Sequence, residues 1–513
     1  MNPYLDAVHG ALPRLLASFD GDALRATRGL GDRTAWAWKT IDFFNATPQG
    51  AVHGLARLVA ADLLPQGMCA EPVMARIEEA VDALARITRG DGSLEEAFPY
   101  EGSFCVTALV AYDVLVAREQ LGERWSARAQ ARCLERVEPL IGYLLRADET
   151  HGAISNHILT AVAALLAWQD VMPGAAEARA EALMARVKAW QSAEGWWREY
   201  DGADAGYQSL ATCYLADIHR RRPHWQLADR VARSVDFLSH CAHRDGSFGG
   251  LYGSRNTRFL MPAGFEYLAD EMPMAAALAA FARTSIATQS CVTLASIDAG
   301  NLAPWFNGYA WAAQLCATRQ APRDVPLLPC QQPRLRAWFA DAGLLFDGDD
   351  EAYTVVSTHK GGVVLRTSTA SAARIDAGVV MRDGHGALST TQHYRRDNTL
   401  RIEADEIVVD APLTPLRHTP FKPVDMLALR LLNLSVMRWR PLREWVKRRL
   451  AALLMGAPKA LAMRNRRVIR LRPTFAIEDE VSGASGASKV EVTRPFSVIH
   501  MASQGYWQRG DDA

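Results

Sequence analysis

The sequence lacks any long uninterrupted apolar segment. No stretch reaches the roughly 18 consecutive apolar residues of a membrane-spanning helix, so none is predicted in the 513-residue chain. The N-terminal segment has neither a basic start nor a long apolar run with a small-residue cleavage site, so no secretory signal is predicted. We therefore expect a cytoplasmic protein.

Net charge and the common cofactor motifs are also absent. Lys plus Arg and Asp plus Glu number 57 each, which argues against nucleic acid as a partner. The chain contains no P-loop, dinucleotide fingerprint, G-x-S-x-G or H-E-x-x-H motif, so no cofactor is expected. The eight cysteines include no C-x-x-C pair, which predicts reduced thiols and no metal site.

The first 320 residues have the pattern of consecutive helices. Apolar positions recur at helical spacing in residues 51–64, 105–121, 158–168 and 178–190. Short Gly-containing breaks separate these runs and recur every 43 to 60 residues, beginning near residues 91, 151, 194 and 245. Repeated hairpins of this size must stack on one another, as an open solenoid or as a closed α/α toroid whose loops line a cleft.

The pattern changes after a Pro-rich stretch at residues 318–333. Residues 353–357, 362–366, 400–404 and 406–410 alternate as strands do. We predict an α+β multidomain protein in which an N-terminal α/α toroid catalytic domain (residues 1–325) precedes an antiparallel β-sandwich (residues 326–513).

A basic helical insertion is predicted at about residues 422–465. Twelve Lys and Arg residues and one acid, Glu444, lie between Arg430 and Arg470. Residues 425–470 could form a cationic amphipathic surface for the inner membrane face or for an anionic glycan. The alternative is a helix packed on the sheet with a solvated basic face.

Three loop segments resemble those of the heparinase II/III-like polysaccharide lyases. Residues 199–208 resemble their tyrosine-bearing loop, and residues 155–157 resemble the loop that carries a carboxylate-neutralising Asn. Residues 391–398 and 408–410 are similar to a strand pair in which a His precedes a turn and a second strand ends in Asp. The resemblance implies β-elimination at a uronate, which requires a neutraliser for the carboxylate, a base and an acid.

The resemblance assigns candidate roles to a small set of residues. Asn156 would neutralise the carboxylate, with His157 or Arg255 assisting. Tyr207 would act as the acid, or as both acid and base, and His393 would be a second base supplied by the sandwich. The alternatives are an N-cap role for Asn156, structural roles for both His residues, and a core aromatic at Tyr207.

Six further residues are candidates for substrate contact. Sugar orientation, ring stacking and charge pairing are the roles expected of them, and loop bracing or core packing is the alternative. These residues are Tyr252, Arg255, Asn256, Trp197, Glu199 and Arg396.

The predicted function is a carbohydrate-active enzyme acting on an acidic, uronate-containing polysaccharide or oligosaccharide, with lyase chemistry placed first. The alternatives are a uronate epimerase in polysaccharide biosynthesis, a terpenoid-cyclase-like toroid, and a non-catalytic glycan-binding protein.

Overall fold

The N-terminal part of the chain is built from α-helices. A computed structural model describes residues 2–319, 324–416, 422–455, 458–484 and 486–507. The helices before residue 319 are Pro3–Leu16 (α1), Val52–Ala60 (α2), Ala70–Ile87 (α3), Phe104–Leu121 (α4), Ala127–Leu144 (α5), Ser155–Gln169 (α6), Ala176–Trp190 (α7), Ala205–Arg221 (α8), Ala228–Ser239 (α9), Ala263–Leu268 (α10), Pro273–Ala287 (α11) and Leu302–Thr318 (α12).

Six of these helices form a closed inner ring. Helices α2, α4, α6, α8, α10 and α12 each pack against the next, and α12 packs against α2. Helices α3, α5, α7, α9 and α11, together with α1, pack around them. The closure confirms the toroid and excludes the open solenoid.

Burial distinguishes the inner helices from the outer ones. Nearly every residue of α4 and α6 is buried, in keeping with their continuous Ala, Leu and Val composition. Helix α3 instead buries one stripe, formed by Val73, Ile77, Val81 and Leu84. An inner helix has neighbours on all sides, whereas an outer helix has solvent on one side, and the two sequence patterns follow from this difference.

The C-terminal part consists of antiparallel sheets. The strands are Leu335–Phe339 (β1), Leu344–Gly348 (β2), Tyr353–Ser357 (β3), Val363–Thr367 (β4), Arg374–Asp376 (β5), Val380–Arg382 (β6), Leu388–Thr390 (β7), Thr399–Ile402 (β8), Glu406–Pro412 (β9), Thr414–Leu416 (β10), Arg464–Arg470 (β11), Ala476–Ser482 (β12) and Ser488–Lys489 (β13). They form one five-stranded sheet, β1-β2-β3-β4-β5, and two four-stranded sheets, β10-β7-β6-β13 and β12-β11-β9-β8.

The five-stranded sheet packs on the toroid. The Phe339 ring lies 5.0 Å from the Phe237 ring, edge to face, and the Phe346 ring lies 5.4 Å from the His240 ring. The Tyr353 hydroxyl donates a hydrogen bond of 2.8 Å to the His240 carbonyl. One continuous apolar core therefore joins the two parts of the chain.

Two helices lie between β10 and β11. They are Pro423–Leu434 (α13) and Arg440–Met455 (α14). The Arg443 guanidinium donates to Asp91 over 3.2 Å, and the Thr150 hydroxyl donates to Glu444 over 2.9 Å. Helix α14 therefore contacts the loops that lead into α4 and α6. No helix in the described ranges combines the length and the apolar character that a bilayer crossing requires.

We predict that the interface between sandwich and toroid contributes to the stability of the whole chain. Phe346 is fully buried among aromatic rings from both parts, so Phe346→Ala leaves a cavity and lowers the free energy of unfolding by roughly 3–5 kcal/mol. Urea denaturation measures this change. Trp338→Ala, at a side chain that is 37% exposed on the neighbouring strand, is the control. Equal losses in the two variants would contradict the prediction.

Candidate active site

Two loops at one end of the ring bring the predicted toroid residues together. They precede α6 and α8, whose N-termini lie side by side in the inner ring. The Tyr200 amide donates to the Ala153 carbonyl over 2.7 Å, and the Ser155 amide donates to the Arg198 carbonyl over 3.2 Å. These backbone bonds hold the two loops in a fixed relative position.

Asn156 is fixed by a buried carboxyl group. Its amide Nδ2 donates to Glu199 Oε2 over 2.8 Å, and its backbone N–H donates to Glu199 Oε1 over 2.9 Å. Helix α6 begins one residue earlier with Ile154 as its N-cap, so Asn156 does not have the capping role considered as an alternative. Burial raises the pKa of Glu199 to about 8, although the two Asn156 donors oppose the shift.

His157 pairs with a second carboxylate. Its Nδ1 lies 2.6 Å from Glu149 Oε2, and His151 Nδ1 lies 2.7 Å from Glu149 Oε1. Burial lowers the pKa of His157, but the neighbouring Cys105 thiol and the Glu149 carboxylate outweigh burial and hold it well above its usual value. His157 is therefore a cation at neutral pH, about one fifth exposed, beside the Asn156–Glu199 pair.

Tyr207 lies in the first turn of α8. The Asp204 carboxylate caps this helix by accepting the Tyr207 backbone N–H over 3.3 Å. The hydroxyl of Tyr207 is 2.8 Å from the Ser503 hydroxyl, and its ring meets Phe259 edge-on at 5.7 Å. Burial raises the pKa of Tyr207 well above 10, so the phenol keeps its proton at neutral pH.

Tyr200 and Arg255 lie beside these groups. The Arg255 guanidinium stacks on the Tyr200 ring at 4.2 Å and donates to Asp201 over 2.7 Å. Its Nε and Nη1 atoms are buried and have no partner in the described part of the chain. Tyr200 has a φ of +60°, an uncommon conformation for a residue other than glycine. Sequence reasoning missed Tyr200, and its place in a loop rich in polar residues was the available signal.

His393 lies in the sandwich, in the segment between β7 and β8. Its Nδ1 is 2.7 Å from the Thr414 hydroxyl. Burial, together with the charges of Lys360 and Arg395, lowers the pKa of His393 to about 4. His393 is therefore neutral at neutral pH. No hydrogen bond links it to Tyr207 or Asn156 within the described ranges.

Tyr394 is the sandwich residue that meets the tyrosine-bearing loop. A Cβ at Gly202 would lie 2.3 Å from the Tyr394 hydroxyl, so only glycine fits there. That hydroxyl is 2.9 Å from His359 Nδ1. Burial raises the pKa of Tyr394 to about 12, and burial lowers the pKa of His359 to about 4. Sequence reasoning did not select Tyr394 as a site residue.

Arg396 and Asn256 complete the boundary between toroid and sandwich. Arg396 is half-exposed and donates to Asp341 over 2.9 Å and to the Asp201 carbonyl over 3.3 Å. The buried Lys360 ammonium donates to the Asn256 side chain. Burial lowers the pKa of Lys360 to about 7. Of Arg396 and Lys360, only Arg396 is therefore exposed enough for an anionic ligand to approach it from solvent.

The segment at residues 496–507 runs across the same boundary. Asn256 Nδ2 donates to the Ser497 hydroxyl over 2.7 Å, and Gln504 Nε2 donates to the Arg255 carbonyl over 3.1 Å. With Ser503 on Tyr207, these contacts make the segment a wall of the site. Its sequence gave no earlier indication of this position.

Five of the six expected substrate contacts are buried, namely Trp197, Glu199, Tyr252, Arg255 and Asn256, and two of these are aromatic rings in the core. Trp197 is fully buried, and its indole N–H donates to the Ser234 hydroxyl over 2.9 Å. Tyr252 is 2% exposed, and its hydroxyl lies 3.1 Å from His243 Nε2. Both side chains belong to the core, because their rings fill space between the ring loops and the five-stranded sheet. Neither ring is open to a sugar.

The geometry therefore brings Asn156, His157, Glu199, Tyr207 and Arg255 to one place. His393 lies in the sandwich and bonds to Thr414 instead. Within the described residues, His, Cys, Asp and Glu side chains form no group of three or more that could hold a metal ion. The arrangement offers an amide, a cation and a protonated phenol beside one another, which suits binding and proton donation to an anionic sugar.

Comparisons with known proteins find similar structures only. No family model matches the sequence, and no curated protein matches it. Heparinase III is similar at a TM-score of 0.49 and 11% identity, over 85% of this chain and 62% of that one. Streptomyces coelicolor A3 chondroitin AC lyase has a TM-score of 0.48 and 13% identity, over 82% and 68%. Paenibacillus xanthan lyase has a TM-score of 0.44 and 11% identity, over 80% and 45%.

We predict a measurable cost of ionising Glu199. A carboxyl whose pKa rises from 4.5 to about 8 on folding contributes stability below the lower value and loses it as pH rises through the higher one. Glu199→Gln mimics the protonated form. The free energy of unfolding of the wild type, relative to the variant, should fall by a few kcal/mol between about pH 5 and about pH 8. Urea titrations at several pH values measure this difference, and a pH-independent difference would contradict the assignment.

Proposed function

We propose that this protein is a carbohydrate-active enzyme that abstracts the proton next to the carboxylate of a uronate-containing glycan and cleaves the adjacent glycosidic bond by β-elimination. The observation that carries the proposal is the joint placement of Asn156, His157 and Tyr207 at the loop end of a closed toroid. Each part of the chemistry has a group in the required protonation state.

Neutralisation of the substrate carboxylate is assigned to Asn156 and His157. The Asn156 amide is held in one orientation by Glu199, and His157 carries a positive charge. Preorganised donors and charge of this kind stabilise the enolate-like transition state without reorganisation during the reaction. Arg396, which is half-exposed, would hold a second acidic group of the glycan.

The acid is assigned to Tyr207 and the base to the sandwich. Tyr207 keeps its proton at neutral pH because burial raises its pKa. His393 is neutral because burial and neighbouring cations lower its pKa to about 4, so it can accept a proton. A closed cleft would place the two on either side of a bound sugar.

The proposed elimination moves two protons and breaks one bond as another forms, and no cofactor takes part. The proton on the carbon next to the carboxylate passes to His393, and the electron pair forms a double bond to the neighbouring ring carbon. The bond from that carbon to the glycosidic oxygen breaks, and the oxygen takes the proton of Tyr207. His393 then releases its proton to solvent and Tyr207 takes one up, which restores both residues.

A uronate epimerase is the second candidate. It needs the same neutraliser, with an acid and a base on opposite faces of the ring. Tyr207 comes from the toroid and His393 from the sandwich, and this favours an acid and a base on opposite faces of the ring. Solvent deuterium incorporated into the uronate without bond cleavage would identify this reaction.

We predict that Tyr207→Phe abolishes elimination. Loss of the phenolic proton should lower kcat by about 10²–10⁴-fold, with little change in KM. The measurement is ultraviolet absorbance of the unsaturated uronate product across a panel of uronate-containing polysaccharides. Tyr214→Phe, on the same helix but away from the loops, is the matched control and should retain activity. Wild-type activity in Tyr207→Phe would contradict the assignment.

We predict an acidic limb in the pH profile of kcat/KM that belongs to His393. Because its pKa is about 4, the rate should rise through about pH 4 and then level off. His393→Gln should lower kcat and remove this limb. An unchanged limb in the variant would assign the base to another group, and His359→Gln then tests the neighbouring neutral imidazole.

A further inference from the structure

Helix α13 exposes an apolar surface that the described part of the chain leaves uncovered. It is a 12-residue helix, PVDMLALRLLNL, in which Asn433 is the only buried residue. Its five large exposed apolar side chains are Val424 (65% exposed), Met426 (58%), Leu427 (61%), Leu431 (60%) and Leu434 (43%). A helix of this composition is normally buried against a partner, so the exposed surface marks an interaction site.

Aromatic and basic side chains continue this surface onto the neighbouring residues. Trp439 is 66% exposed and Trp445 is 50% exposed. Arg438, Arg448 and Arg449 are exposed beside them, and the Arg449 guanidinium lies 5.7 Å from the Trp445 ring. Residues 425–455 contain seven Lys and Arg residues and two acids, a net charge of +5. Apolar, aromatic and cationic groups therefore occur together in one insertion.

The insertion is anchored to the toroid by its inner residues. Arg443 and Lys447 are buried; Arg443 donates to Asp91 over 3.2 Å, and Lys447 donates to the Gly102 carbonyl over 3.4 Å. Arg430 pairs with Asp42. Arg438 also donates to the Tyr100 hydroxyl over 3.2 Å. The exposed guanidinium groups of Arg448 and Arg449 and the apolar face are the groups that can meet a partner.

We propose that α13 and the start of α14 bind the surface of an anionic lipid bilayer. Leucine and methionine side chains would enter the acyl boundary, tryptophan rings would lie at the headgroup level, and the exposed arginines would pair with anionic headgroups. A helix of 12 residues is too short to cross a bilayer, which takes about 20, so it lies in the interface.

The composition of the surface favours lipid over the other occupants. A soluble acidic glycan would pair with the arginines but would leave five aliphatic side chains in water. A protein interface core is typically depleted of charge, whereas the exposed arginines lie directly beside the apolar side chains. A bilayer satisfies both the apolar and the cationic groups.

Helix α14 contacts the loops before α4 and α6, so the proposed lipid-binding surface is linked to one of the loops that build the candidate active site. Helix α14 meets Asp91 in the loop before α4 and Thr150 in the loop before α6, the helix that carries Asn156. A bilayer bound by α13 would therefore lie near the candidate active site. The lipid contact itself does not depend on the proposed chemistry.

The test is co-sedimentation of the full chain with vesicles of phosphatidylcholine, with and without phosphatidylglycerol. The wild type should pellet with the anionic vesicles. The double variants Leu427→Glu/Leu431→Glu and Arg448→Glu/Arg449→Glu should each weaken binding by about tenfold or more, because each reversal opposes insertion or headgroup pairing. Met172→Glu is the matched control, since Met172 is 45% exposed beyond the opposite end of α6 and should bind as wild type.

Three outcomes would overturn the proposal. Absence of pelleting with anionic vesicles is the first. Binding that dextran sulfate displaces, and that survives the leucine double variant, would assign the surface to a soluble polyanion. A dimer by light scattering that the leucine double variant dissociates would assign it to a second copy of the chain. Unchanged urea midpoints in all variants keep these outcomes separate from misfolding, because the substituted residues are exposed.

Discussion

Closure of the inner helix ring is the constraint on which the rest of the molecule depends. Packing of α12 against α2 gives every inner helix two inner neighbours, so helices such as α4 and α6 are buried on all sides. It also points the N-termini of these helices to one end. The candidate site exists because successive hairpin loops collect at that end and the five-stranded sheet packs beside them.

Burial controls the chemistry of the site through protonation states. Desolvation keeps Tyr207 protonated and leaves His393 and His359 neutral, and it moves the pKa of Glu199 to about 8. His157 is the exception, because its partner Glu149 is itself buried and ionised. The toroid therefore supplies a cation and a neutral acid at neutral pH, and the sandwich supplies neutral imidazoles.

The order of the helices and strands was predictable because it follows from local periodicity. The apolar runs at residues 105–121 and 158–168 correspond to α4 and α6, and the alternating residues 353–357 correspond to β3. Asn156 and Tyr207 could be selected because polar residues at the start of an inner helix lie at the loop end of the ring. Trp197 and Tyr252 could not be excluded in advance, because a loop aromatic has the same local sequence whether it faces a cleft or the core.

The sequence by itself determined a helical repeat domain followed by antiparallel strands, since hydrophobic period and turn residues are local properties. Only the tertiary structure decided that the repeats close, that Glu199 fixes Asn156, and that Tyr394 meets Gly202. It also decided that Ser503, near the C-terminus, contacts Tyr207. Contacts between residues separated by tens to hundreds of positions depend on the packing of whole elements, which no local pattern encodes.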